Sequence, residues 1–367
     1  MKKIIIFAIV IISSLLLIQN INSKTDILKI GFVAGISGKY SSLGTNVKNG
    51  VLLAFDDINY KIGNTKIELV IKDDKQEKQK AKEIINEFIK DDVKIILGNT
   101  TSSMTAISLD LINKEKDMLL FSPTASSNKF SKKDDNFIRT QVANSSKKFQ
   151  FTAKYFLDKN MKNIIGIYDA NNLIYSKGLL SNLEKAFLEQ KGKKFLNTIK
   201  ISDTYEKIKE KIMSQDVDLI VIVANSIDTA KLVQYLRVNN INKNILGSGW
   251  GRSQDFIEEG GLAVEGVLFA SSYDNNSENK KYIDFSKKFE KKFNVKPSVF
   301  SVQSYEATKI LLDTLKDDLS TKNLKKNIIK KSTYEGLQGE IIFDKYGDVF
   351  REYHLVSVTN GKFKRIK

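Results

Sequence analysis

Short apolar runs alternate with longer amphipathic stretches along most of the chain, and this rhythm is what most constrains the fold. Runs at 27–34, 67–71, 95–97, 118–121, 164–168, 219–223 and 267–270 have the length of buried parallel strands. Between them, 46–58, 76–89, 147–157, 179–189, 228–237 and 282–293 carry helical patterns. Alternating β and α elements imply α/β architecture, parallel sheets covered by helices. A length of 367 residues suggests two such units at ~100–200 residues per domain. Only Pro123 and Pro297 occur and no low-complexity linker intervenes, which fits lobes joined by several short crossovers better than beads on a flexible string.

The first 23 residues have a different character. Lys2 and Lys3 precede an apolar core broken only by Ser13 and Ser14, and the small Ser23 offers a cleavage position. This reads as a secretory signal peptide, because the core falls short of the ~20 residues of a membrane span. No cysteine follows it, so there is no lipobox. The expectation is a soluble periplasmic protein with its leader (1–23) cleaved, not a lipoprotein.

The residue inventory narrows the chemistry. With no cysteine and one histidine, His354, the chain lacks disulfides, thiolate nucleophiles, zinc cages and most Ser/His/Asp triads. Asp56/Asp57 and Asp73/Asp74 are adjacent pairs whose side chains point apart, so neither forms an acid/base pair by itself. His354 falls on an apparent strand of a terminal hairpin and reads as structural. We expect no enzyme and no cofactor. The net charge of +16 comes from lysines interleaved with carboxylates, a pattern of solvated helix faces rather than a nucleic-acid footprint.

In open α/β sheets, ligands sit at the carboxyl ends of strands, where loops open the following helices. After 95–97 comes Gly98-Asn99-Thr100-Thr101-Ser102-Ser103, whose hydroxyls at a helix start suit a carboxylate or phosphate and equally suit simple N-capping by Ser102 or Ser103. It is not a phosphate-binding Walker loop, since Gly-x4-Gly-Lys-Ser/Thr is absent. Ser122-Pro123-Thr124-Ala125-Ser126 follows 118–121 and is explained as well by turn chemistry. Tyr175 lies beyond 164–168 as a ring to face a ligand or to pack. Gly247-Ser248-Gly249-Trp250-Gly251 holds the only tryptophan, a stacking surface or a lobe-surface anchor, and its glycine spacing is not that of a dinucleotide site.

Together these segments resemble the type I periplasmic binding proteins, specifically the leucine/isoleucine/valine-binding family of ABC-transporter substrate receptors. The resemblance runs from Ile27 to the C-terminus. It is carried by Ile30-Gly31-Phe32, Ser37-Gly38, Gly44 and Asn49 to Asn59, then by Phe137-Ile138-Arg139, Gly260-Gly261, Tyr305-Glu306-Ala307, Gly336 to Gly339 and Gly347-Asp348. It implies two doubly wound, Rossmann-like lobes joined by a three-crossover hinge that closes on ligand. The N-terminal lobe is expected at 27–144 plus 273–334 and the C-terminal lobe at 145–272 plus 335–367.

By the same resemblance, Ser102 holds a ligand carboxylate with Thr100 and Ser103 beside it. Thr124 and Ser126 face the ligand's amino group, Tyr175 closes over it, and Leu43 forms a pocket wall. One position departs from the pattern. Where the family's amino-acid binders place an acid against the ligand ammonium, this chain has Gly249, followed by Trp250. The implied function is capture of a small carboxylate-bearing solute, a branched-chain or other amino acid or a related organic acid. Delivery would be to ABC-transporter permease subunits in the inner membrane, with the receptor monomeric. A periplasmic solute sensor signalling through the same closure is the alternative.

Overall fold

The computed structural model describes residues 26–366, so the expected leader lies outside the described residues. The first lobe begins with β1 (Ile27–Ala34), α1 (Ser41–Asp56), β2 (Lys61–Ile62), β3 (Thr65–Asp73), α2 (Lys78–Lys90), β4 (Ile95–Gly98), α3 (Ser102–Ile112), β5 (Leu119–Ser122) and β6 (Phe137–Arg139). The second holds α4 (Ser146–Asp158), β7 (Ile164–Tyr168), α5 (Leu173–Glu189), β8 (Asn197–Lys200), α6 (Tyr205–Met213), β9 (Leu219–Val223), α7 (Ser226–Val238), β10 (Asn244–Gly247), α8 (Gln254–Gly260) and β11 (Leu268–Ser271). The chain then returns to the first lobe for α9 (Lys280–Phe293), α10 (Val299–Asp317), α11 (Leu324–Lys331), β12 (Thr333–Gly336), β13 (Gly339–Phe343) and β14 (Val349–Phe350). It ends in the second with β15 (His354–Val358) and β16 (Phe363–Arg365).

The first sheet has the order β2-β3-β1-β4-β5-β6, parallel except for β2, and the second β16-β15-β11-β10-β9-β7-β8, parallel except for β15 and β16. Helices cover both faces, so strands are apolar on both sides. Ile30, Phe32 and Ala34 of β1 face one layer while Val33 faces the other, and Leu219, Val221 and Val223 of β9 oppose Ile220 and Ile222 in the same way. Three crossovers, residues 140–145, 272–279 and 351–353, join the lobes.

The segment expected in the C-terminal lobe at 335–367 divides. β12, β13 and β14 form a small antiparallel sheet on the first lobe, with Phe343 against Phe121 at 6.4 Å between ring centroids. The fully buried Arg139 guanidinium explains this placement, because it pairs with Asp348 at 2.6 Å and also bonds the Ala125 and Ser127 carbonyls and Ser131 Oγ. A buried cation is tolerable only with such compensation. Only β15 and β16 join the second sheet.

Two helices begin well before the start that the apolar pattern suggests. α1 starts at Ser41 and includes Gly44, where a Cβ would stand 2.0 Å from the Gly35 carbonyl oxygen. Gly50 of the same helix admits α10, since a Cβ there would meet Ser304 Oγ at 2.1 Å. α5 starts at Leu173, its Gly178 facing open space, so Tyr175 lies in a first helical turn rather than a loop. α10 left no amphipathic stripe in the sequence because it is buried on most faces, Ser301, Ser304 and Thr308 included.

Candidate ligand-binding site

The carboxyl ends of the two sheets face each other across a cavity, and the lobes are in contact around it. The Tyr40 ring stacks on Trp250 at 5.7 Å and 21°. The Tyr40 hydroxyl donates to Asp169 Oδ2 (3.1 Å) and accepts from Asn171 Nδ2 (2.7 Å), while burial and Asp169 raise its pKa. Lys39 pairs with Asp228 at 2.7 Å, Ser42 Oγ donates to Asp255, and Ser103 N–H donates to Asn172 Oδ1 at 3.1 Å. The cavity between the lobes has a volume of about 80 Å³.

One end of the cavity is the start of α3. Thr101 is the N-cap, its hydroxyl bonded to the Gln76 side chain and accepting from Met104 N–H at 3.4 Å. Of the two readings left open for this turn, N-capping by Ser102 or Ser103 is therefore excluded. Ser102 Oγ accepts from Ser127 N–H at 3.1 Å, which leaves the hydroxyl hydrogen free to donate, at the positive end of an 11-residue helix. Thr124 Oγ1 gives its hydrogen to the Thr100 carbonyl (2.7 Å) and can only accept from a ligand. Ser126 Oγ accepts from Asn144 Nδ2 at 3.2 Å.

The second lobe supplies rings and a glycine. Tyr175 stands edge-on to Trp250 at 5.9 Å and 90°. Burial raises its phenol to about 12, against the easing effect of the nearby Ser248 side chain and Trp250 backbone. Gly249 leaves room, since a Cβ there would meet nothing within 4 Å. Eight of the nine expected residues line the cavity: Leu43, Thr100, Ser102, Thr124, Ser126, Tyr175, Gly249 and Trp250. Ser103 does not, because its backbone is turned to Asn172.

The sequence marked neither the crossover residues nor the cations of the cavity wall. Gln141 and Asn144 from the first crossover, Ser272 from the second and Tyr353 from the third all line the cavity, so the segments that join the lobes also wall the space between them. Phe149, Phe300 and Gln303 add to the wall, as do Lys148 and Arg252. Burial, with the Arg139 charge adding to it, lowers Lys148 to about 7, and burial lowers Arg252 to about 10. Among the described lining residues there is no aspartate or glutamate. Lys148 was one cation among 59 lysines and arginines, and no local motif marked it. His354 begins β15 with Nε2 3.2 Å from the Tyr273 carbonyl, in the structural place expected of it.

A family model described as periplasmic binding protein matches residues 27–362. The Leu/Ile/Val-binding protein BraC3 of Rhizobium johnstonii is 27% identical over 253 residues, covering 67% of this chain and 68% of that protein. The substrate-binding protein LivJ of Streptococcus pneumoniae, solved in complex with isoleucine, superposes with a TM-score of 0.83 at 24% identity, over 92% of this chain and 98% of that one. A solute-binding protein of an ABC transporter from R. palustris, solved in complex with benzoate, gives 0.84 at 20% identity, over 93% and 95%.

Proposed function

Because the chain belongs to the periplasmic binding protein family, whose members are solute-binding proteins and not enzymes, we propose that it is the solute receptor of an ABC transporter. In this reading it is exported, its leader is cleaved, and as a monomer it captures a small carboxylate-bearing solute between two closing lobes for delivery to a membrane permease. The observation that carries the reading is the enclosed cavity between the lobes, with the Ser102 hydroxyl and the start of α3 at one end. Neutral hydroxyls and a helix N-terminus stabilise a carboxylate without transferring a proton to it. Ligand-driven closure follows from higher affinity for the closed state.

The absence of an acid from the described wall favours an organic acid over an amino acid, since a buried ammonium with no carboxylate partner is costly by several kcal/mol. The isoleucine and benzoate complexes of similar structures span these two ligand types. Trp250, Tyr175, Phe149 and Phe300 suit a flat or apolar ligand body. A thermal-shift panel of amino acids, short carboxylates, aromatic acids and amides tests this. A ligand at ~100 times its Kd adds ~2.7 kcal/mol of stability. The carboxylates should stabilise the protein, and the loaded protein should stimulate ATP hydrolysis by its reconstituted transporter. Stabilisation by amides but by no acid contradicts the carboxylate reading, and a loaded protein without effect on any transporter contradicts the transport role.

A further inference from the structure

The charges of the cavity wall do not balance. Lys148 is the third residue of α4, where its backbone N–H is capped by Ser145 Oγ, so its ammonium stands at the positive end of a helix, the wrong end for a cation. Nζ donates to Asn144 Oδ1 at 2.7 Å and lies 4.5 Å from the centre of the Tyr353 ring. Among the described residues no carboxylate reaches it within ion-pair distance. Arg252 is 3% exposed and donates to Ser271 Oγ, the Tyr273 carbonyl and Asn275, yet its Nε has no partner and it too lacks an acid. Two cations without an acid partner, both in the wall of one cavity, mark a site completed by something from outside.

We propose that Lys148 is a second anion-recognition point, so that the ligand is a small dicarboxylate with one carboxylate at the start of α3 and the other on Lys148. This rests on the carboxylate-receptor reading and deepens it. Asn144 is the structural link, because it accepts from Lys148 and donates to Ser126 Oγ. The protein thereby brings its own ammonium to the side of the cavity where the resemblance places a ligand's amino group. The second carboxylate neutralises Lys148, and the rings of Phe149, Phe300 and Trp250 line the space between the two ends.

The arrangement makes binding pH-dependent. The charge of Arg139 on β6 acts on Lys148 and the Tyr353 ring of the third crossover stands against it, Tyr175 on α5 and Arg252 beyond β10 share the cavity wall, and the carboxylates of Asp348 and Glu306 are taken up by Arg139 and Arg351. Burial keeps both phenols neutral well above pH 9, and Arg139 and Arg252 stay charged over that range. Lys148, at about 7 in the empty site, is then the group that changes charge between pH 6 and 9. Binding a second carboxylate requires its protonated form, so affinity falls as pH rises above 7, approaching tenfold per unit.

The test is calorimetry of matched pairs, glutarate against pentanoate and terephthalate against benzoate, at pH 6.0, 7.0 and 8.5. In the wild type the better dicarboxylate should bind at least ~10-fold tighter than its partner at pH 6 and lose affinity toward pH 8.5. Lys148→Met should lose the preference and the pH dependence. Lys148→Arg should keep the preference and lose the pH dependence, which separates a lost cation from a misfolded chain. Monocarboxylates binding as tightly as dicarboxylates, or a preference that survives in Lys148→Met, overturns the proposal alone. Failure of every acid to bind overturns the carboxylate-receptor reading beneath it.

Discussion

Replacing Gly249 by glutamate should turn the cavity toward amino acids. The backbone does not demand glycine here, since φ lies outside the left-handed region and a Cβ would meet nothing within 4 Å. The substitution therefore starts its side chain in open space, and Lys148 and Arg252 in the same wall reduce the cost of burying a carboxylate there. A ligand ammonium meeting that carboxylate gains a charge-assisted hydrogen bond of ~1.5–3 kcal/mol, or about 10- to 150-fold. Leucine and 4-methylpentanoate differ only in the amino group, so the ratio of their affinities isolates it. By isothermal calorimetry the wild type should prefer the acid, and Gly249→Glu should shift the ratio toward leucine by that factor. An unchanged ratio in a variant that melts cooperatively refutes the reasoning. So does nanomolar leucine binding by the wild type, which would mean that another acid meets the ammonium.

Three further outcomes are expected. Ser102→Ala should weaken a bound carboxylate by about 1–3 kcal/mol in calorimetry and cost ~1 kcal/mol of stability, because Ser127 N–H loses its acceptor. Arg139→Met leaves Asp348 without its partner and should lower unfolding free energy in urea by ~3–5 kcal/mol, a loss under ~1 kcal/mol being incompatible with the buried network. The empty protein should gain stability as pH rises from about 7 to 9.5, because Lys148 sits at about 7 when folded and near ~10.4 when unfolded, so the unfolded chain binds more protons in that window. The slope is on the order of 1 kcal/mol per pH unit, and the difference curve against Lys148→Met should carry it. Identical curves would contradict the lysine's placement.

The layered architecture was legible because strands such as β1, β7 and β9 are buried on both faces, and two-sided burial leaves an uninterrupted apolar run that sequence displays directly. The ends of those strands were legible for the same reason, and with them Thr100, Ser102, Tyr175 and Trp250. What the sequence concealed depends on contacts between distant segments. α10 is sandwiched and shows no stripe, and the 335–350 stretch belongs with the first lobe because Asp348 answers Arg139, more than 200 residues away in sequence. Lys148 was invisible for a related reason. Its significance lies in what the fold fails to put beside it, and a missing partner has no sequence pattern. Ser103 shows the converse, a residue of the right type beside the site whose backbone is committed to Asn172 in the other lobe.

In the proposed bound state a carboxylate is held at the start of α3 while the lobes enclose the ligand. The most direct measurement takes the acid that stabilises the protein most and compares its Kd with that of its primary amide, which keeps shape and removes charge. Trp250, the only tryptophan and part of the wall, provides a fluorescence titration alongside calorimetry. The amide should bind at least ~10-fold more weakly, the loss expected when a charge-assisted hydrogen bond becomes a neutral one. Equal affinities would contradict a carboxylate held at the start of α3.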